Sequence, residues 1–291
     1  MEYDLFLGCV IPARLPFLEA SARKVFQKLG IELKDLDGFS CCPDPTGIEL
    51  IDHETWLALG ARNLSLSNNN GGVMSLCSGC VETLKGVNYS INNSTETKEE
   101  VNKVLQSVGK SYGGKVNVKH FAEVLYENLD IVKENIVKPL EGFKIAAHYG
   151  CHYLRPSEII QWDDPFDPIS IDEIIEALGA ESINYNLKLE CCGNPVEKSD
   201  EDLSLQMIHN KLNAISAVGA NSVALVCPAC FQQFDFKQRS LNKEENNDYN
   251  LPIFYLSELV ALAFGFDPDT LGFKYHRMRP DELFEEIGFE S

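Results

Sequence analysis

Basic charge is what this chain most obviously lacks: 25 Lys and Arg stand against 44 Asp and Glu, for a formal net charge of −19. Nucleic-acid phosphate and anionic membrane surfaces are bound mainly through Lys and Arg, so neither is an expected partner. A small anionic substrate remains open, because it needs only a few basic side chains in one crevice. Long apolar runs are missing as well. The most apolar stretch, Tyr255 to Phe266, is shorter than the roughly 18–20 residues of a membrane helix and contains Glu258. The N-terminus, MEYDLFLGC, has acidic residues where a secretory signal needs a basic region. The expected location is therefore cytoplasmic, with no membrane span.

Cysteine, by contrast, is abundant and ordered. Ten cysteines fall into two copies of one pattern: Cys9, Cys41, Cys42, Cys77, Cys80, and Cys151, Cys191, Cys192, Cys227, Cys230. Between the vicinal pair and the CxxC there are 34 residues in both copies. The leading cysteine precedes the pair by 31 intervening residues in the first copy and 39 in the second. Neighbouring text repeats too: FSCCPDP answers LECCGNP, KLGIE answers ALGAE, and Gly8-Cys9 answers Gly150-Cys151. Two copies of one metal-binding unit explain this economically. In a reducing cytosol such thiols are expected as ligands rather than as disulfides.

A chain of 291 residues with 44% hydrophobic content can bury one large core or two modest ones, and the repeat favours two packed halves. Tyr3–Leu7 reads as a strand leading to Cys9, residues 16–29 as a helix closed by Gly30, and Ile31–Leu36 as a strand. A helix is expected over 52–67, and Gly72–Leu76 as a strand delivering Cys77. The second copy repeats this, with Lys144–His148, a helix over 171–178, an extended Ile183–Asn186, a helix over 200–218 and Ser222–Val226. Residues 92–110 and 121–129 read as helical. The fold class is α/β, built from βαβ-type repeats, divided as residues 1–140, with a helical insertion, and 141–291, with a C-terminal tail. QWDDPFDP (residues 161–168) reads as a surface loop, either folding over its own core or offering Trp162 and Phe166 to a neighbour. The tail from Leu271 to Phe289 either covers its own domain or docks on a partner.

Five cysteines per copy exceed the four thiolates of a cubane [4Fe–4S] cluster or of an all-cysteine zinc site. Placing Cys41 and Cys42 on one cluster requires a turn, which the flanking Pro and Gly residues allow. A CxxC at a strand end that opens a helix puts both sulfurs near backbone N–H groups and the positive end of the dipole, which lowers thiol pKa. Spacing alone leaves zinc open as an alternative cofactor at one repeat. His152 and His148 flank Cys151 and could bond a cluster sulfur or protonate a leaving thiolate, His152 being the catalytic candidate. Arg14 and Arg155 follow the leading cysteines and are candidates for holding an anionic substrate group.

The doubled pattern of one cysteine, a vicinal pair and a CxxC resembles the CCG-domain proteins over nearly the whole chain, and among them the B subunits of archaeal heterodisulfide reductases. Related CCG proteins fuse the repeats to a ferredoxin-like CxxCxxCxxxCP domain, and no such run occurs here. The resemblance implies two repeats packed face to face about a pseudo-twofold central crevice. It implies that each five-cysteine set binds a non-cubane [4Fe–4S] cluster, with the mixed disulfide of coenzyme M and coenzyme B cleaved between them in methanogenesis. Partners implied are the iron–sulfur C subunit together with the flavin-containing A subunit of such a complex, with a hydrogenase or formate dehydrogenase module beyond. The other reading it offers is an iron–sulfur electron-transfer subunit of a hydroxy-acid or fumarate-type oxidoreductase. One departure is Pro43, where the motif carries glycine: Pro has no N–H and a φ fixed near −65°, so the two clusters are expected to differ in potential.

Overall fold

A computed structural model describes residues 1–67, 71–244 and 247–289, and in it the two halves build the same sheet twice. Glu290 and Ser291, the end of the expected second half, lie outside the described residues. In the first sheet β1 (Glu2–Phe6) pairs in parallel with β2 (Glu32–Asp35) and with β3 (Val73–Ser75), and β3 pairs with β4 (Val118–His120). In the second, β5 (Lys144–His148) lies between β6 (Glu181–Ser182) and β7 (Ser222–Leu225), with β8 (Ile253–Tyr255) beyond β7. The orders β2-β1-β3-β4 and β6-β5-β7-β8 are the same topology. Parallel neighbours need long crossovers, and the helices Pro16–Lys28, His53–Leu64, Ser170–Ala177 and Glu201–Ala217 supply them.

Two segments differ from the sequence reading. The extended stretch expected at Ile183–Asn186 is displaced to Glu181–Ser182, because the Ile183 N–H makes the last bond to the sheet, on the Ile145 carbonyl (2.8 Å), and the chain then leaves it. The helical insertion is broken: the helix Ser78–Asn93 ends at Asn93, and the Ser94 side chain, accepting from the Thr97 N–H (3.1 Å), caps a new helix, Thr95–Gln106.

The halves do not have a core each. One cluster joins Leu5, Phe26 and Phe121 of the first half to Phe143, Phe231, Tyr255 and Leu259 of the second, while Trp56, Leu84 and Val118 form a smaller cluster under the first half alone. The helices Pro16–Lys28 and Leu256–Ala263 pack together, and Ser21 and Ser257 share a buried hydroxyl bond of 2.8 Å between them. The C-terminal tail completes this core: Leu271, Phe273, Leu283, Phe284 and Phe289 are all buried on it. It therefore covers its own domain. In the loop at 161–168, Trp162 Nε1 donates to the Tyr153 hydroxyl (2.7 Å), whereas Phe166 is 86% exposed.

A buried ion pair pins the tail. His276 Nε2 lies 3.0 Å from Glu258 Oε1, with both side chains at 0% exposure. Burial works against the imidazolium, but Glu258, Asp235 and the Ile253 carbonyl outweigh it and raise its pKa. A histidine with a raised folded pKa contributes fully below its unfolded value of about 6.5, and the contribution is lost as pH climbs through the folded value. Denaturant unfolding of the protein and of His276→Gln should therefore show a deficit that shrinks as pH rises above about 6.5. A deficit independent of pH would mean that His276 is not charged in the fold.

Candidate functional site

Every thiol is placed by the carboxyl end of a strand or by a turn beside one, the location at which open α/β sheets bind ligands. After β1 and β5 the chain turns at Gly8 and Gly150, both with positive φ (66° and 69°), and delivers Cys9 and Cys151. A Cβ on Gly8 would stand 2.7 Å from Cys80 Sγ, so glycine is required there by space as well as by φ. Cys77 follows β3 as the N-cap of the helix Ser78–Asn93, and Cys227 follows β7 ahead of the helix Pro228–Glu244. Cys80 and Cys230 sit in the first turns of those helices, as the CxxC reading expects. Of the four CxxC thiols, however, only Cys227 is lowered, because contacts with other thiols and burial push Cys77, Cys80 and Cys230 up.

The vicinal pairs are held by their carbonyls. Asn63 Nδ2 donates to the Cys41 carbonyl (3.0 Å) and Thr83 Oγ1 to the Pro43 carbonyl (2.9 Å). In the second copy Ser204 Oγ donates to the Gly193 carbonyl (3.0 Å), with Gln233 Nε2 donating to Ser204 Oγ (2.7 Å). Gly193 adopts φ 89°, while Pro43 has no positive φ, so the two turns differ as the sequence implied.

The ten thiols form one line. Neighbour-to-neighbour interactions between thiols run from Cys9 to Cys41, Cys42, Cys80 and Cys77, cross to Cys227, and continue through Cys230, Cys192 and Cys191 to Cys151. Read from either end, the order of equivalent cysteines is the same. Cys77 thus touches its own counterpart. Around that contact His120 Nε2 lies 3.1 Å from the Val226 carbonyl, and the Tyr255 hydroxyl donates to the Leu76 carbonyl. His120 and Tyr255 end equivalent strands, and Leu76 and Val226 precede equivalent cysteines. Such reciprocal pairs are the signature of a twofold relation.

Thiol contacts divide the protons. Contacts with Cys41 and then Cys80 hold Cys42 down to about 5. Those with Cys151 and Cys192 hold Cys191 down to about 2, and those with Cys230 and Cys77 hold Cys227 well below the ordinary range. The neighbours Cys9, Cys41, Cys77, Cys80, Cys151, Cys192 and Cys230 are pushed up, in each case first by a contact with another thiol. No two of the lowered thiols are adjacent in the line. Ionising all ten requires added positive charge, which is what a bound metal cluster contributes.

Unused polar atoms also face the site. His148 Nε2 is buried without a partner and lies 3.3 Å from where a Cβ on Gly150 would stand, with Cys230 Sγ 3.6 Å from the same point. His152 Nδ1 lies 3.9 Å from Glu82 Oε2 across the halves, and neither atom has a hydrogen-bond partner. Burial, with Glu49 and Asp44 adding to it, pushes Glu82 up to about 8. Arg14 is exposed at the end of the short helix that Cys9 opens. Arg155 is exposed too, and its Nη2 donates to the Leu189 carbonyl (3.2 Å) beside the second vicinal pair. The residues that sequence reasoning missed are Asn63, Glu82, His120, Lys211 and Tyr255. His120 and Tyr255 did leave a signal: each stands three residues before a glutamate, Glu123 or Glu258, in a capping box.

Among the described residues, no group of three His, Cys, Asp or Glu side chains closes around a point as the ligands of a single ion do; the thiols are strung out instead. No helix among them is long and apolar enough to cross a membrane.

The family model for the cysteine-rich CCG domain matches twice, over residues 3–85 and 145–235. The B subunit of a ferredoxin:CoB-CoM heterodisulfide reductase from Methanosarcina mazei is 37% identical over 98% of this chain and 97% of its own length. An 8-methylmenaquinol:fumarate reductase membrane anchor subunit from Wolinella succinogenes is 30% identical over 94% of this chain and 96% of its own. Among solved structures, a hypothetical protein from Helicobacter pylori superposes with a TM-score of 0.77 over 96% of this chain, at 18% identity, and this chain spans 52% of its length. That likeness concerns the fold alone.

Proposed function

Because the chain belongs to the CCG family of cysteine-rich proteins, which includes the heterodisulfide reductase B subunits, we propose that it is the disulfide-reducing subunit of a multisubunit oxidoreductase. The substrate proposed is the mixed disulfide of coenzyme M and coenzyme B, reduced in methanogenesis. Each five-thiol set, Cys9, Cys41, Cys42, Cys77, Cys80 and Cys151, Cys191, Cys192, Cys227, Cys230, would hold one non-cubane [4Fe–4S] cluster. The observation that carries this reading is the single line of ten thiols with its midpoint at Cys77 and Cys227. A strung-out donor set suits clusters several ångströms across better than one ion, and zinc at one repeat is the outcome that would count against it. Once bound, the two clusters would supply one electron each, which matches the two-electron cleavage of a disulfide.

The chain's own residues have separable tasks. Asn63, Thr83 and Ser204 fix the turns of the vicinal pairs, and His120 and Tyr255 hold the two sets in register across the halves. Cleaving a disulfide to two thiols consumes two protons with its two electrons. His152 and Glu82, unpartnered at the junction of the halves, would pass those protons, and Arg14 and Arg155 would hold sulfonate, carboxylate or phosphate groups of the substrate. We assign residues 1–140 and 141–291 as the two repeats. Electrons would come from an iron–sulfur C subunit together with a flavin-containing A subunit, with a hydrogenase or formate dehydrogenase module beyond, in the cytoplasm.

Anaerobic purification should give about eight irons and about eight acid-labile sulfides per chain, as two four-iron clusters require. Adding the coenzyme M–coenzyme B disulfide should change the electron paramagnetic resonance of the oxidised clusters. Zinc without sulfide would overturn the reading. The Wolinella relative favours a second possibility, an electron-transfer subunit of a fumarate-type reductase. Full cluster content with no spectral response to any disulfide would decide for it.

A further inference from the structure

The thiols of the two halves match, but the charges around them do not. Equal spacing between pair and CxxC makes Ala61 the counterpart of Lys211, and Pro43 the counterpart of Gly193. Lys211 lies on the helix Glu201–Ala217 at 1% exposure, and its ammonium donates to the Leu187 carbonyl in the loop leading to Cys191. It stands within electrostatic reach of Cys230, Cys192 and Cys191, with Glu190 acting on it alongside them. Among the described residues no carboxylate comes to ion-pairing distance. Burial pushes its pKa down to about 8, with Cys230, Cys192, Glu190 and Cys191 working against that fall. Ala61 is equally buried and carries no charge. On the first side Arg62 is partly exposed and donates to Asn63 Oδ1 (3.2 Å), so water screens it. His148, also on the second side, adds nothing to the difference, since burial and Lys211 keep its pKa well below the ordinary value and the ring neutral.

The turns add a second asymmetry of the same sign. The Gly193 N–H donates to Cys191 Sγ at 3.4 Å. Pro43 has no N–H to give. A buried cation and an N–H bond to a ligating sulfur both favour the more negative state of an iron–sulfur cluster, and so raise its reduction potential.

We infer that the second thiol set is the electron-collecting end of the pair, and that Lys211, a positioning residue for charge rather than a ligand, sets this order. The inference rests on the two-cluster reading above. One electron entering from a reduced partner goes to the second set first, and the first set is reduced after it. No bond need form or break in that step.

The test is a redox titration of the anaerobic holoprotein, followed by electron paramagnetic resonance, in the wild type, Lys211→Met and Lys211→Arg. Two waves are expected, the higher one altered by Cys151→Ser and untouched by Cys9→Ser. In Lys211→Met the higher wave should move down so that the ratio of oxidised to reduced cluster at fixed poise rises about tenfold, a shift of about 59 mV for one electron. Lys211→Arg should restore most of it, and the lower wave should stay in place. An unmoved higher wave in Lys211→Met with full iron content overturns the inference. So does a higher wave that belongs to the Cys9 set, a comparison that needs no Lys211 variant to fold. Fewer than two clusters in the wild type would overturn the functional reading itself, and the inference with it.

Discussion

Cys192→Ser is expected to leave a folded protein that reduces no heterodisulfide. Cys192 is 3% exposed and stands between Cys191 and Cys230, so its loss cuts the second set at its centre. A serine hydroxyl is a harder, far weaker acid than a thiol, and it would not replace the thiolate that Cys192 would give to a bound cluster. Loss of an outer-sphere partner typically costs a metal site ten- to a hundredfold, so loss of a ligand should lower turnover by more than about a hundredfold. Iron should fall from about eight to about four per chain, because the first set keeps its five thiols. The stability cost is smaller, about 1–3 kcal/mol, for a buried hydroxyl without its sulfur partners. Cys42→Ser should give the converse, with the second cluster kept and the first lost. Iron analysis, the resonance signal of the surviving cluster and steady-state reduction of the disulfide read the three effects separately. Full activity together with full iron in either variant would sink the assignment of five thiolates per site.

The largest loss of stability is expected from Glu258→Ala. Glu258 makes two buried contacts that no water can replace: its Oε2 accepts from the Tyr255 N–H (2.8 Å), and its Oε1 pairs with His276 at 0% exposure. Removing one member of a buried pair strands the other charge and costs about 3–5 kcal/mol. The counterpart, Glu123, is a control. It caps the His120 N–H at a longer 3.4 Å and pairs with Lys85, also at 3.4 Å, at a less deeply buried position. Glu123→Ala should cost nearer 1 kcal/mol, the scale of a lost cap. Urea unfolding under reducing, anaerobic conditions measures both. A Glu258→Ala penalty no larger than that of Glu123→Ala would show that solvent reaches the pair.

The ten ligating candidates were readable because spacing survives in a linear string. β1, β3, β5 and β7 were readable because they are apolar runs that end at a cysteine. β4 and β8 were not. Val118–His120 is only three residues long and runs directly into a helix, and Ile253–Tyr255 merges into the apolar stretch that continues as the helix Leu256–Ala263. The shared core was hidden for another reason: Ser21 finds Ser257, and Phe121 stacks on Tyr255 at 5.3 Å between ring centres, across separations that no local periodicity records. Lys211 gave no sign of itself either, since a lysine on an amphipathic helix normally reads as a solvated face.

The reciprocal contacts about Cys77 and Cys227 also say what kind of molecule could have preceded this one. A residue that touches its own equivalent, flanked by two crossed bonds, is the geometry of a symmetric homodimer, here carried within a single chain. In a true homodimer every substitution is made at both sites at once, so neither can differ from the other. Joining the copies end to end removes that constraint. A lysine facing one site and an alanine facing the other, or a glycine turn matched with a proline turn, are differences that only a fused pair can inherit.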